Sequence, residues 1–231
     1  MIKINDLNKK FGQVEVLKGV EMKIPSGVTA ILGPNGSGKT TLIKSILGMV
    51  RPDKGNITFN NESLINNETF RRHIRYLPQI AQFPDNLTIN ELLSMIRDLR
   101  CEKGKAEPLL TTFQLTPFLD KKLRHLSGGT RQKVNLVLAF MFESEILILD
   151  EPTSGLDPVS QLRLKELIID EKFKGRTILM TTHIMSLVEE LADQIAFLME
   201  GKLYFQGSIE EVKTQTSIDD LERAIAKILT A

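Results

Sequence analysis

Apolar residues in the first part of this chain recur at every second position and later at every third or fourth. "IKINDL" and "VEVLKGVEMKI" alternate apolar with polar residues, which predicts half-buried strands. After the break "PSG" comes "VTAIL", an unbroken apolar run that predicts a strand buried on both faces. That run feeds the glycine-rich "GPNGSGKT", and "TLIKSILGMV" beyond it has helical spacing and stops near "RPDKG". "NITF" adds a strand. From Thr88 to about Phe142 the spacing is mostly helical, and "TINELLSMIRDLR" opens on Thr88 with Glu91 placed to complete a capping box. "ILILD" and "TILMTT" predict short buried strands, and "QIAFLMEGKLYF" predicts a further β segment. Helices are expected at "SQLRLKELIIDEKF" and "IMSLVEELAD", with an amphipathic helix in "SIDDLERAIAKIL".

Buried strands alternating with helices predict a largely parallel α/β core, and the helical block between the glycine loop and "ILILD" predicts an inserted subdomain. No internal repeat or low-complexity linker interrupts the 231 residues, so a single domain is expected over 1–231. Its core is expected over about 1–82 and 143–231 and its helical subdomain over about 83–142. Composition narrows the function classes. Thirty Lys and Arg against 29 Asp and Glu leave a net charge of +1 with no run of like charges, so the basic field that non-specific nucleic-acid binding needs is missing and no nucleic-acid partner is expected. A single cysteine, Cys101, excludes an internal disulfide framework. No stretch approaches the ~20 apolar residues of a membrane span, which points to a cytoplasmic chain.

The chemistry is concentrated in three places. "GPNGSGKTT", Gly33 to Thr41, satisfies the pattern G-x-x-x-x-G-K-S/T between a strand and a helix. In that context Gly33, Gly36 and Gly38 let backbone N–H groups of the loop (Gly33, Asn35, Gly36, Ser37 and Gly38; Pro34, within the same loop, has none) turn toward a phosphate, Lys39 reaches the outer phosphate oxygens, Thr40 offers a hydroxyl to Mg2+, and Thr41 follows. "ILILDEPTSGLD" delivers Asp150 at a strand tip, where a carboxylate can hold Mg2+, and Glu151 at the ensuing turn, where it can act as base toward a water. "LSGGTRQK" puts Ser127, Gly128 and Gly129 ahead of a helix and so forms a second anion cradle.

These motifs, with "TTH" after them, occur in the order and near the spacing of the ATP-binding cassette (ABC) family, and the resemblance covers nearly the whole chain. The resemblance implies a P-loop NTPase (RecA-like) core with an antiparallel β subdomain and an inserted α-helical subdomain. It also implies ATP and Mg2+ as ligands and hydrolysis of ATP to ADP and phosphate. By the same resemblance, two domains pair head to tail, so Ser127, Gly128, Gly129 and Thr130 would contact ATP held by the partner, a second copy or a paralogous cassette. Thr130 stands where the family most often carries Gln. Asp157 resembles the aspartate that bridges the two domains, Gln79 in "YLPQ" the glutamine that ligates Mg2+, and His183 the switch histidine that positions Glu151. Phe11 resembles the aromatic that stacks on adenine, with Val16 beside it. A transporter of this family couples to an integral membrane permease, which places the chain peripherally on the cytoplasmic face of the cell membrane. The ending "SIDDLERAIAKIL" resembles those of exporter-type (ABC-2) cassettes. A soluble assembly ATPase of the iron–sulfur type is the alternative; sustained heptads, which chromosome-organising relatives require, are missing from this sequence.

Overall fold

A computed structural model describes residues 1–65, 67 and 69–230. Among the described residues the chain forms ten strands and eight α-helices arranged around two sheets. The first sheet is antiparallel, in the order β2 (Val14–Ile24), β1 (Ile2–Phe11), β4 (Lys54–Phe59), β5 (Glu62–Ser63). The second runs β10 (Lys202–Gly207), β9 (Gln194–Met199), β3 (Gly27–Leu32), β8 (Thr177–Thr181), β7 (Ile146–Asp150), β6 (Ile74–Leu77). Its strands are parallel except β10, which returns on β9 as a hairpin.

Alternation within the central sheet sorts its side chains into two cores. Ile31, Ile146, Ile148 and Leu179 pack on one face with the buried side of the first sheet and with Leu42, Ile43 and Ile46 of α1 (Lys39–Ile46). Val28, Ala30, Leu147, Leu149, Ile178 and Met180 face the other way, into a core shared with the remaining helices. Both faces are covered, so these strands read as continuous apolar runs. Parity then decides the chemistry: Asp150 and Thr181 are register partners one step beyond Leu149 and Met180, and so point to the face that carries α1.

Between β6 and β7 the chain makes α2 (Ile89–Arg100), α3 (Ala106–Thr112) and α4 (Gly128–Phe140). The capping box expected at α2 forms: Thr88 Oγ1 accepts from the Glu91 N–H at 3.2 Å, and Glu91 Oε2 accepts from the Thr88 N–H at 2.8 Å. After β7 come α5 (Pro158–Phe173), α6 (Met185–Leu191), α7 (Ile209–Thr216) and α8 (Leu221–Thr230). The β segment expected from "QIAFLMEGKLYF" forms as two strands folded at Glu200 and Gly201, both with positive φ. Strand β8 lies between β3 and β7, so Asp150 reaches the loop across the end of β8.

Candidate active site

The loop between β3 and α1 is built by steric exclusion. Gly33 has φ 144°, and a Cβ there would lie 1.9 Å from the carbonyl oxygen of Leu198 on β9, so only glycine lets the loop close on the sheet. Gly36, at φ 81°, meets nothing within 4 Å, which leaves an open backbone surface at the loop's crest. The loop ends in Gly38, which caps α1 without a side-chain acceptor, so the first N–H groups of α1 face the same space.

Val16, Asn35, Gly36, Ser37, Gly38, Lys39, Thr40, Thr41, Gln79, Asp150 and Glu151 line a cleft of about 300 Å³. Lys39 Nζ folds back to donate to the carbonyls of Gly33 at 2.7 Å and Pro34 at 3.0 Å. Burial lowers the pKa of this ammonium, while Glu151 and Asp150 across the cleft favour its charge. The buried Ser37 hydroxyl has no partner. A polar rim with an unmet hydroxyl, backbone donors and one lysine suits a polyphosphate.

Asp150 is buried at the end of β7. Its Oδ1 accepts from the Thr181 hydroxyl at 2.6 Å, and its Oδ2 lies 3.5 Å from the Tyr76 hydroxyl. The Tyr76 phenol is pushed up to about 12, first by burial and then by the charge of Asp150. Glu151 turns out of the strand direction with φ 47°, an uncommon conformation for a side-chain-bearing residue. Its N–H is shared between the carbonyl and the hydroxyl of Thr181, both at 3.1 Å. Its Oε2 lies 3.0 Å from His183 Nδ1, with the Glu151 side chain 15% exposed and the His183 ring 82% exposed. The imidazole thus orients the carboxylate from solvent. Thr40, Gln79 and Asp150 line the same cleft with a hydroxyl, an amide and a carboxylate, donor types that suit Mg2+ together with phosphate and water.

Other expected residues stand apart. Phe11 does not line the cleft; it is 50% exposed at the end of β1 with the Lys9 ammonium 5.3 Å from its ring centre. Ser127 caps α4, its Oγ accepting from the Thr130 N–H at 3.2 Å and lying 2.8 Å from the Thr130 hydroxyl. The Thr130 hydroxyl therefore lies against the capping oxygen. Ser127 and Gly128 are exposed and outside the phosphate cleft. Asp157 caps α5, accepting from the N–H and the hydroxyl of Ser160, each at 2.9 Å, and pairs with Lys133 on α4 at 2.7 Å. Lys133 first and the Ser160 donors next hold its carboxyl well below the usual range.

A family model described as "ABC transporter" matches residues 17–154, which take in the phosphate loop, Gln79, the second glycine pair and the Asp150–Glu151 tip. The chain belongs to the ABC transporter family. The lantibiotic transport ATP-binding protein SrtF of Streptococcus pyogenes is 35% identical to this cassette over 211 residues, 89% of the chain and 90% of SrtF. The daunorubicin resistance ATP-binding protein DrrA3 of Streptomyces coeruleorubidus is 31% identical over 96% of the chain and 72% of DrrA3. Among solved structures, an ATP-binding subunit of an ABC transporter superposes with a TM-score of 0.93 at 30% identity, covering 99% of each chain. The fold is the P-loop NTPase fold of the family, and the chain is an ABC-type ATPase. A second model, described as "AAA domain, putative AbiEii toxin, Type IV TA system", matches the shorter span 120–189.

Sequence reasoning missed Thr181 and Tyr76. Thr181 stands in the apolar run of β8, where a hydroxyl reads as tolerated core, and Tyr76 stands in a four-residue segment whose Arg75 masks the strand. Their register opposite β7 could have found them, because cross-strand neighbours of a buried carboxylate have to satisfy it.

Proposed function

We propose that this cassette is the ATP-hydrolysing motor of an exporter-type transporter, acting as a head-to-tail dimer on a separate integral membrane permease. One observation carries the dimer. The cleft holds the phosphate loop, Gln79, Asp150 and Glu151, while the cradle of exposed Ser127 and Gly128 and half-buried Gly129 lies outside it, so each chain offers a second anion site to another molecule's nucleotide. Exporter-type transport is supported by SrtF and DrrA3, whose names record lantibiotic transport and daunorubicin resistance. Among the described residues no helix is long and apolar enough to cross a membrane.

In the mechanism, Gly36, Ser37, Gly38 and the N-terminus of α1 hold the phosphates of ATP, and Lys39 leaves the Gly33 and Pro34 carbonyls to reach the outer oxygens. Thr40, Gln79 and Asp150 would hold Mg2+, which offsets phosphate charge when bound. Glu151 accepts a proton from the attacking water, held toward the cleft by its turned backbone and by His183. Ser127, Gly128 and Gly129 close over the partner's ATP. Phe11 and Val16 flank the base side, Val16 from the cleft wall and Phe11 by presenting an exposed ring.

Mixing two inactive variants tests this. Lys39→Ala removes the phosphate-loop cation and Ser127→Arg blocks the cradle; a mixed dimer regains one complete site. Random pairing in an equal mixture should recover about a quarter of wild-type turnover. No recovery, with both variants folded, would sink the composite site. Capture by a tagged Glu151→Gln chain from solubilised membranes with ATP tests the permease: a polytopic membrane protein is expected, and soluble partners alone would favour the assembly-ATPase alternative.

A further inference from the structure

We propose that Thr181 is a positioning residue for hydrolysis, its buried hydroxyl setting the orientation of Asp150 and Glu151 together. This inference rests on the roles assigned above to those two carboxylates. Thr181 ends β8, the strand that separates the phosphate-loop strand from β7, and is fully buried in register with Asp150. A hydroxyl has one proton to give, and Thr181 commits it to Asp150 Oδ1 at 2.6 Å. The same oxygen accepts from the Glu151 N–H at 3.1 Å. One atom therefore meets both groups, from the side away from solvent.

The consequences for each carboxylate differ. On Asp150, Tyr76 at 3.5 Å stands at the limit of a hydrogen bond, so the short contact to Thr181 fixes the rotation of the carboxylate and leaves Oδ2 the less engaged oxygen. On Glu151, the backbone sits at φ 47°, the left-handed region that is strained for a residue with a Cβ. Thr181 holds that turn through its carbonyl and hydroxyl, and the Ser154 N–H closes it by donating to the Glu151 carbonyl at 3.1 Å. The turn is what directs the side chain to His183 instead of along the strand. Valine at this position would keep the branched shape the sheet packs against while removing the shared atom.

The test compares Thr181→Val and Thr181→Ser with wild type and with Glu151→Gln. Steady-state turnover gives kcat and KM for ATP. Mn2+ binding, followed by electron paramagnetic resonance with a non-hydrolysable ATP analogue, reads the Asp150 side without turnover. Loss of a hydrogen bond to a charged group predicts kcat down about tenfold for Thr181→Val. KM should stay within about twofold, since the lost contact acts on the reacting geometry. Mn2+ affinity should fall with it, and Thr181→Ser should restore both. Wild-type kcat and Mn2+ affinity in folded Thr181→Val would overturn the proposal even if its Tm dropped, as would failure of serine to rescue. Should Thr181→Val not fold, Thr181→Cys, similar in size and a weak donor, is read the same way. If Glu151→Gln itself turns over normally, the underlying assignment of the base fails; if it is inactive while Thr181→Val is normal, only the role of Thr181 fails.

Discussion

Asp157 lies where the family resemblance implies a bridge between two cassettes, yet within one chain its carboxylate already has three donors. It accepts from Ser160 N–H and Oγ and from the Lys133 ammonium, and it opens α5 directly before Pro158. Replacing it with alanine removes a helix cap worth about 1 kcal/mol and a half-exposed ion pair worth up to about 1 kcal/mol. The sum, about 1–2 kcal/mol, corresponds to a Tm lower by roughly 2–8 °C in a chain of this size. Asparagine caps as well as aspartate does, so Asp157→Asn should lose only the ion-pair share. Calorimetric melting of the nucleotide-free chain measures both. The pH dependence has a definite sign: because folding lowers the Asp157 pKa, its contribution is present above the unfolded value near 3.9 and is lost as pH falls below it. The gap between wild type and Asp157→Ala should therefore narrow in acid. Equal loss from Asn and Ala at neutral pH would refute the cap as the main term. A wild-type melt for Asp157→Ala would refute the local role altogether and leave the bridge between cassettes as the use of this side chain.

Two further outcomes follow from the same geometry. Gly33→Ala should fail to fold or melt far below wild type, because its Cβ would meet the Leu198 carbonyl at 1.9 Å, whereas Gly36→Ala, with open space, should cost about 1–2 kcal/mol and weaken binding of a fluorescent ATP analogue. Comparable melts for the two variants would refute the distinction. Tyr76→Phe should flatten the alkaline limb of stability: with a folded pKa near 12, the wild-type phenol contributes stability below the ordinary Tyr value of about 10 and loses it as pH rises toward 12. Identical urea midpoints for the two proteins across that range would remove Tyr76 from the account.

Much of the fold was legible because its cues are local. The capping box at Thr88, the glycine loop between strand and helix, and the unbroken apolar runs of β3, β7 and β8 each follow from near neighbours in sequence. What escaped depended on distant partners. Strand β6 was not assigned because Ile74–Leu77 is short and carries Arg75, whose buried guanidinium is accommodated over the Phe142 ring at 5.2 Å, a contact across the chain. Helix α7 was passed over because "SIEEVKTQT" is mostly polar; its Ser208–Glu211 capping box was the available sign. The order of the central strands, with β8 between β3 and β7, is likewise absent from any local pattern. That order is what places Thr181 against Asp150.

The two anion cradles are separate in space but not mechanically independent. From Glu151 the chain runs through Ser154, Gly155 and Leu156 to Asp157, and this segment leans on the start of α4 at two points. A Cβ on Gly129 would meet the Gly155 carbonyl at 3.0 Å, so the backbones are in near contact there, and Asp157 is paired with Lys133 one turn further along α4. With the roles proposed above, Glu151, as base toward a chain's own ATP, would thereby be tied to the helix whose N-terminus would serve the partner's. A shift of α4 on closing over the partner's phosphate would pull on Gly155 and Asp157, and through them on the turn that aims Glu151. Because that turn is held from the other side by Thr181, on a strand packed into both cores, the displacement has one soft end and one fixed end. Under the proposed roles, such an arrangement would let occupancy of the partner's site be felt at Glu151 without any long-range rearrangement of the sheet.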